Sequence, residues 1–437
     1  LKFSAQIRLL GQLSLPALGL QEGVAAMVEA ASARASFAGE VKSFLRSQWF
    51  LTGIMLCLTI AYPLRESVSD SSAINPSWTL KTLGVIMIFV SQGVSLDMAA
   101  AVPAAIKGRK ALWFSLFCTF VAYPSITFGL VLLLRAAGYN GHLATGTVFL
   151  SIMPTTAALS AILTKVAGGD VPTAVASATL GNIAGVFVSP ILAMLLLAGG
   201  GLIEIDLEPA FIKLGYMVFL PFAFGQVLQL DGRIRASVAK NRRRIYFFNH
   251  VVLLVIIFVS FANFYKLDSR AAGVGAGDLA VQIALGHALV LGVSTLVWLA
   301  TWWMPMEQRI AALYVSAHKS VVMGLPMCDA LFGTHPMASL FALPLILYYP
   351  AELATGTFMA PVLRSMVAAR RTKEPKRDAE QAEGGGSGGQ AENAPDAPST
   401  ASTASSTASS EEPQGAYQDL EVQAKMWNCL VGFRCMA

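Results

Sequence analysis

Residues 146–170 read GTVFLSIMPTTAALSAILTKVAGGD, and the eight residues from Met153 to Ser160 decide how the rest of the chain is read. On both sides the sequence is apolar enough to lie in hydrocarbon. Its middle nevertheless carries a proline, two threonines and a serine. Within a bilayer an unpaired backbone N–H or C=O is so costly that a broken helix persists only where it is buried in protein or lines a watery cavity. The stretch therefore predicts a membrane helix interrupted within Pro154 to Ser160 beside a polar cavity.

The composition agrees. Of 437 residues, 55% are hydrophobic and only 13% charged, against about 25% charged in soluble domains. An all-α polytopic membrane protein is expected. The net charge of +5 gathers in short loops such as KGRK at 107–110 and RIRASVAKNRRR at 233–244. Those are membrane-surface anchors for anionic lipid, so the expected partner is the lipid bilayer and not nucleic acid. Cys57, Cys118, Cys328, Cys429 and Cys435 form no close framework, and disulfides are not expected. There is no phosphate-cradling Gly-Lys-Thr loop, no HExxH pair and no Gly-x-Ser-x-Gly turn, and the histidines do not cluster at metal spacing. Enzyme, cofactor and resident-metal readings therefore have no motif to rest on.

At about 20 apolar residues per span, ten candidates appear: 48–65, 79–98, 111–135, 143–165, 171–198, 211–230, 246–265, 280–304, 308–332 and 337–364. Residues 1–44 read as an N-terminal cytoplasmic segment or a transit-peptide remnant. Residues 45–198 and 199–366 hold five spans each, and 367–437 is a low-complexity tail expected to be disordered. With both termini cytoplasmic, 19 basic residues fall inside and six outside, counting the tail to Arg377. The plasma membrane is the expected location, with a plastid envelope or a secretory-pathway membrane as the alternative.

Five spans per half means that the halves insert upside down relative to one another. The fourth span of the second half, RIAALYVSAHKSVVMGLPMCDALF at 309–332, is interrupted too, by Ser316 to Ser320 followed by Gly324 and Pro326. Two broken helices in equivalent places of inverted repeats point to a substrate or ion site near the midplane. Lys319 lies eleven residues into its span, where an unpaired charge is expensive and functional by default. His318 stands beside it. Glu352, near the middle of the tenth span, needs a partner, and Lys319 or His318 is the expected one. In the first half, Thr155, Thr156, Ser160 and Thr164 are expected to line the cavity, with Ser160 and Thr164 on one helical face.

These residues carry a resemblance. PTTAALSAILTKVAGGD (154–170), AHKSVVMGLP (317–326) and LPLILYYPAELATGTFMAPVL (343–363) resemble the bile acid:sodium symporter superfamily, and within it the sodium/bile acid cotransporter 7 subgroup, over about residues 45–366. The resemblance implies ten transmembrane helices arranged as two inverted five-helix repeats, with a core domain containing two crossing unwound helices and a panel domain that moves against it. It places Ser177, Thr179 and Asn182 of the fifth span at the crossing. Sodium-coupled relatives use a glutamate, a Gln-Asn pair and a third-span glutamine where this chain has Tyr314, His318-Lys319 and Thr119. An ammonium in that cavity repels sodium and can stand in its place, so sodium and protons both remain as coupling ion. The function expected is a secondary carrier of a small organic anion. The alternative is a membrane regulator on the same scaffold, for example one acting on calcium homeostasis.

Overall fold

A computed structural model describes residues 49–68, 81–203, 207–266, 273–333 and 335–384. The chain divides into two compact units, Leu1–Trp49 and Phe50–Ala437. The first is described only at Trp49, so the expectation for residues 1–44 lies outside the described residues, as does that for the tail beyond Gly384.

Every regular element among the described residues is helical: α1 (Trp49–Val68), α2 (Leu83–Ser95), α3 (Met98–Lys107), α4 (Arg109–Phe117), α5 (Tyr123–Ala136), α6 (Gly141–Ser151), α7 (Ala157–Val166), α8 (Val171–Ala193), α9 (Leu207–Leu214), α10 (Leu220–Gln229), α11 (Gly232–Lys266), α12 (Ala276–Ala300), α13 (Met306–Ala317), α14 (Val321–Phe332) and α15 (Ala338–Gly384). Single π-helical turns join α4 to α5 (Cys118–Ala122) and α9 to α10 (Gly215–Phe219), and a third follows α8 (Met194–Ala198). Seven continuous helical stretches among the described residues are long and apolar enough to cross a membrane, and α2 and α7 are shorter apolar helices. Large side chains such as Trp113, Leu133, Leu195, Leu220 and Trp302 face outward. An apolar surface of that extent suits lipid rather than water.

Local chemistry sets the helix ends. The Asn140 side chain caps α6 by accepting from the His142 and Leu143 N–H groups at 2.9 and 3.2 Å. Asp170 caps α8 in the same way, accepting from Thr173 N–H at 3.1 Å, with Pro172 in the first turn where no N–H is needed. α15 continues past the boundary expected near residue 366, as far as Gly384. Its extension is rich in Ala, Glu, Lys and Arg, all good helix formers, and it stops where the Gly-rich run at 384–386 begins.

The molecule is enclosed unevenly. In the apolar window of Arg109–Ala136 39% of residues are buried, whereas in that of Met306–Phe332 the figure is 94%. The interrupted α13–α14 span is thus the one surrounded by protein. α13 packs on α4, α7, α8 and α12, and α14 packs on α2, α9, α11 and α15. Small residues permit the closest approaches, as membrane helix packing favours. Ala174 and Ala178 of α8 meet Ala311 and Val315 of α13. A Cβ at Gly185 would fall 2.7 Å from the ring of Pro154.

Candidate functional site

The two sequence breaks meet. α6 ends at Ser151 and α7 starts at Ala157; α13 ends at Ala317 and α14 starts at Val321. The extended residues between them bind each other like a short piece of sheet. Ser320 N–H donates to the Pro154 carbonyl at 2.8 Å, and the Thr156 hydroxyl donates to the Lys319 carbonyl at 2.7 Å. Backbone groups freed by each break are therefore satisfied by the other. That is the condition for irregular backbone inside a membrane protein.

A polar side chain from the following helix braces each break. Asn182 of α8 donates to the Thr155 carbonyl at 3.1 Å and to the Ala178 carbonyl at 2.7 Å. Glu352 of α15 accepts from the Lys319 backbone N–H at 2.8 Å, and its other oxygen lies 3.3 Å from the Thr156 hydroxyl, whose proton is shared with the nearer Lys319 carbonyl. Further bonds come from Ser189, which donates to the Ile152 carbonyl at 2.7 Å, and Tyr348, which donates to the Ala317 carbonyl at 2.6 Å. Ser160 reaches from α7 to the Tyr314 carbonyl at 3.0 Å and shares a hydrogen bond with Thr155 at the same distance.

Lys319 is fully buried, and its ammonium sits among carbonyls rather than carboxylates. It donates to the Met153 carbonyl at 3.0 Å and the Thr119 carbonyl at 3.1 Å, and lies 4.3 Å from the centre of the Tyr123 ring. The availability of the Thr119 carbonyl follows from sequence. In the π turn Tyr123 N–H goes to the Cys118 carbonyl. The next residue is Pro124, which has no N–H to give. The C-terminal end of a half-helix carries partial negative charge, which makes the Met153 carbonyl a second suitable acceptor. A desolvated cation over an aromatic face gains about 2 kcal/mol or more. The Tyr123 hydroxyl shares a 2.8 Å hydrogen bond with that of Tyr348, tying this platform to the second break.

The expected Glu352 pairing is corrected in one respect. Glu352 hydrogen-bonds the Lys319 backbone, while the Lys319 ammonium hydrogen-bonds the carbonyls of Thr119 and Met153 and feels the carboxylate only through space. The reason is geometric: in an extended segment the N–H and the side chain of one residue leave on different sides. His318 is not paired through a charge either. Its Nδ1 bonds the Tyr314 carbonyl at 2.9 Å and its ring stacks on Tyr314. Its Nε2 faces the Glu352 carbonyl without closing a hydrogen bond.

Other expected residues divide. Ser320 caps α14, accepting from Met323 N–H at 3.2 Å. Ser316 is buried, its hydroxyl facing the Cys118 thiol without closing a hydrogen bond. Thr164 and Ser177 are buried with unbonded hydroxyls, and Thr179 makes no side-chain hydrogen bond to the crossing. Sequence reasoning missed Tyr123, Tyr348 and Ser189. The pair Tyr123-Pro124, a ring beside a helix breaker, was the available signal for Tyr123; nothing marked Tyr348 over Tyr349, or Ser189. Among the described residues no group of three His, Cys, Asp or Glu side chains is placed to hold a metal.

Interlocked half-helices closed over a buried cation, on a lipid-facing helical scaffold, define the class as a membrane transporter. Residues 48–365 match the SBF-like CPA transporter family, and the chain belongs to it. It is similar to sodium/bile acid cotransporter 7-B of Xenopus laevis, 26% identical over 343 residues, which cover 76% of this chain and 97% of that one. Sodium/bile acid cotransporter 7 of Rattus norvegicus is also 26% identical, over 331 residues, 75% of this chain and 95% of the rat protein. An uncharacterized protein of Pseudomonas aeruginosa is 28% identical over 305 residues, covering 69% and 88%. The family is one of transporters, and no catalytic family is indicated.

Proposed function

We propose that this protein is a secondary carrier of a small organic anion, working by alternating access on ten spans arranged as two inverted five-span repeats. The observation that carries this reading is the Lys319 ammonium bonded to carbonyls of two other segments, Thr119 of the third span and Met153 of the first break. A cation there ties the two broken helices together. The N-terminal ends of α7 and α14 are positive ends of half-helices, available to an anion from the opposite direction. Protons are the coupling ion this reading favours over sodium, because Lys319 already supplies the positive charge and can release and regain a proton. Both termini face the cytoplasm at the plasma membrane. The membrane-regulator alternative explains neither the bracing of each break by its own polar residue nor the enclosed cation.

Reconstituted vesicles preloaded with one unlabelled organic anion at a time, and tested for uptake of its labelled form, examine the carrier reading without assuming a coupling ion. Exchange for at least one anion is expected. Its loss when Pro154, Thr155 and Thr156 are replaced together by Ala, Leu and Leu is expected too, since a continuous helix removes the crossing. Full exchange after that change would make the break a packing feature only.

A further inference from the structure

α14 leads away from the crossing, and its last turn carries Asp329, about 13 Å along the helix from Ser320 at 1.5 Å per residue. Two lysines from other segments meet it there. Lys81, just ahead of α2, places its Nζ 3.4 Å from Asp329 Oδ1, with side chains only 7% and 11% exposed. Lys213 of α9 donates to the Asp329 backbone carbonyl at 3.3 Å. Among the described residues, two ammonium groups thus gather at one aspartate, Lys81 on its carboxylate and Lys213 on its main-chain carbonyl. Asp329 also borders a small, mostly apolar cavity with Ile256 and Phe261 of α11 and Ile346 of α15, so the packing around it is incomplete on that side.

Among the described residues, these two buried or half-buried cations face a single carboxylate, and leaving such a charge unpaired is costly. An external anion would complete them. The helices involved give that event a consequence: α2 and α9 pack on α14, the helix that begins at the second break. Exchanging the Asp329 carboxylate for an outside anion unties α14 from its neighbours at the end remote from Lys319. A ligand shifts a conformational equilibrium by its differential affinity for the two states, and here the difference is the freed Asp329.

We propose that Lys81 and Lys213 form a second anion site, which captures the carboxylate, sulfate or phosphate group of the carried molecule and is held shut in this structure by Asp329. That the captured anion is the cargo rests on the carrier reading; that an anion binds there does not. The test uses the full-length protein in detergent. Its thermal unfolding midpoint is followed against sodium phosphate, with sodium chloride at matched ionic strength as the reference. Asp329→Asn, which removes the internal competitor, is expected to bind phosphate roughly tenfold tighter than the wild type, a change of about 1.4 kcal/mol. Lys81→Met, alone or combined with Asp329→Asn, is expected to show no phosphate-specific shift. Lys213→Gln leaves the Lys81–Asp329 pair whole and is expected to weaken the wild-type response; an unchanged response overturns the proposal. It is overturned equally if all variants shift alike. A third refuting pattern is loss of stability in both single variants, recovery in the double, and no dependence on phosphate, which describes a structural ion pair. Because the readout is binding, failure of the carrier reading in vesicles leaves this outcome interpretable, and failure here leaves the role of Lys319 standing.

Discussion

Replacing Lys319 by methionine removes the charge while retaining most of the side-chain volume. In the wild type the ammonium makes two hydrogen bonds, to the Thr119 and Met153 carbonyls, and a contact with the Tyr123 ring. Hydrogen bonds involving a charged group contribute about 1.5–3 kcal/mol each, so the arrangement tied by the cation loses about 3 kcal/mol or more. The substitution also relieves the protein of desolvating a buried ammonium, and exchanging buried ions for apolar groups is often neutral overall. Folding should therefore survive, with a thermal midpoint within a few degrees of the wild type. Uptake should not. A loss of about 3 kcal/mol in the transport-competent arrangement corresponds to more than a hundredfold in rate, at 1.36 kcal/mol per factor of ten. Lys319→Ala should abolish uptake as well, and Lys319→Arg should not restore it, because a guanidinium stays protonated through the cycle. The assay is initial uptake into proteoliposomes at equal protein loading. A Lys319→Met carrier with wild-type uptake would refute the argument that the cation links the breaks.

Pro124→Ala returns an N–H to the π turn, where it competes for the Thr119 carbonyl; uptake should fall about tenfold, the equivalent of one weakened charge-assisted bond, while the thermal midpoint holds. Gly185→Val drives a side chain into the Pro154 ring, 2.7 Å from the first added carbon, and should cost about 1–3 kcal/mol of stability. Gly181→Ala, whose nearest neighbour is 3.7 Å away, should cost nothing, and equal losses in the two would disprove the close approach. For topology, a cysteine at Ser399 should react from the cytoplasmic side and one at Gly141 from the outside; Gly141 has open space around it, whereas a side chain at Gly200 would strike Phe128. Labelling of both positions from one side would contradict the inverted arrangement.

That both spans are broken was legible in the sequence, because proline and hydroxyl residues inside apolar runs are tolerated in lipid only within protein or beside a watery cavity; that the breaks cross was implied by the resemblance. The extended segments are shorter than expected: Pro154 to Thr156 and His318 to Ser320 are extended, whereas Ala157 to Ser160 already belong to α7 and Ser316 and Ala317 still belong to α13. Partner choice was less legible. Glu352 was expected to pair with Lys319 or His318, and it takes the Lys319 N–H, because which side of an extended residue faces which helix is a three-dimensional property. The Thr119 ligand was hidden for another reason. Its acceptor is a backbone oxygen exposed by the π turn and by Pro124, and a carbonyl leaves no side-chain signature. Ser177 and Thr179 were placed at the crossing by resemblance, and neither makes a hydrogen bond to it. The lysines around Asp329 gave no signal either: Lys81 and Lys213 lie 132 residues apart near span ends, where basic residues normally meet headgroups.

The central claim is that a lysine does at this crossing the work a coupling cation would otherwise do. The most direct test is uptake of a transported anion by the reconstituted wild-type protein under two separately imposed gradients, protons at constant sodium and sodium at constant pH. The account predicts that an inward proton gradient drives accumulation and that replacing sodium by choline leaves the rate nearly unchanged. Uptake that stops in choline and ignores the pH gradient would contradict it and leave Lys319 a fixed structural cation.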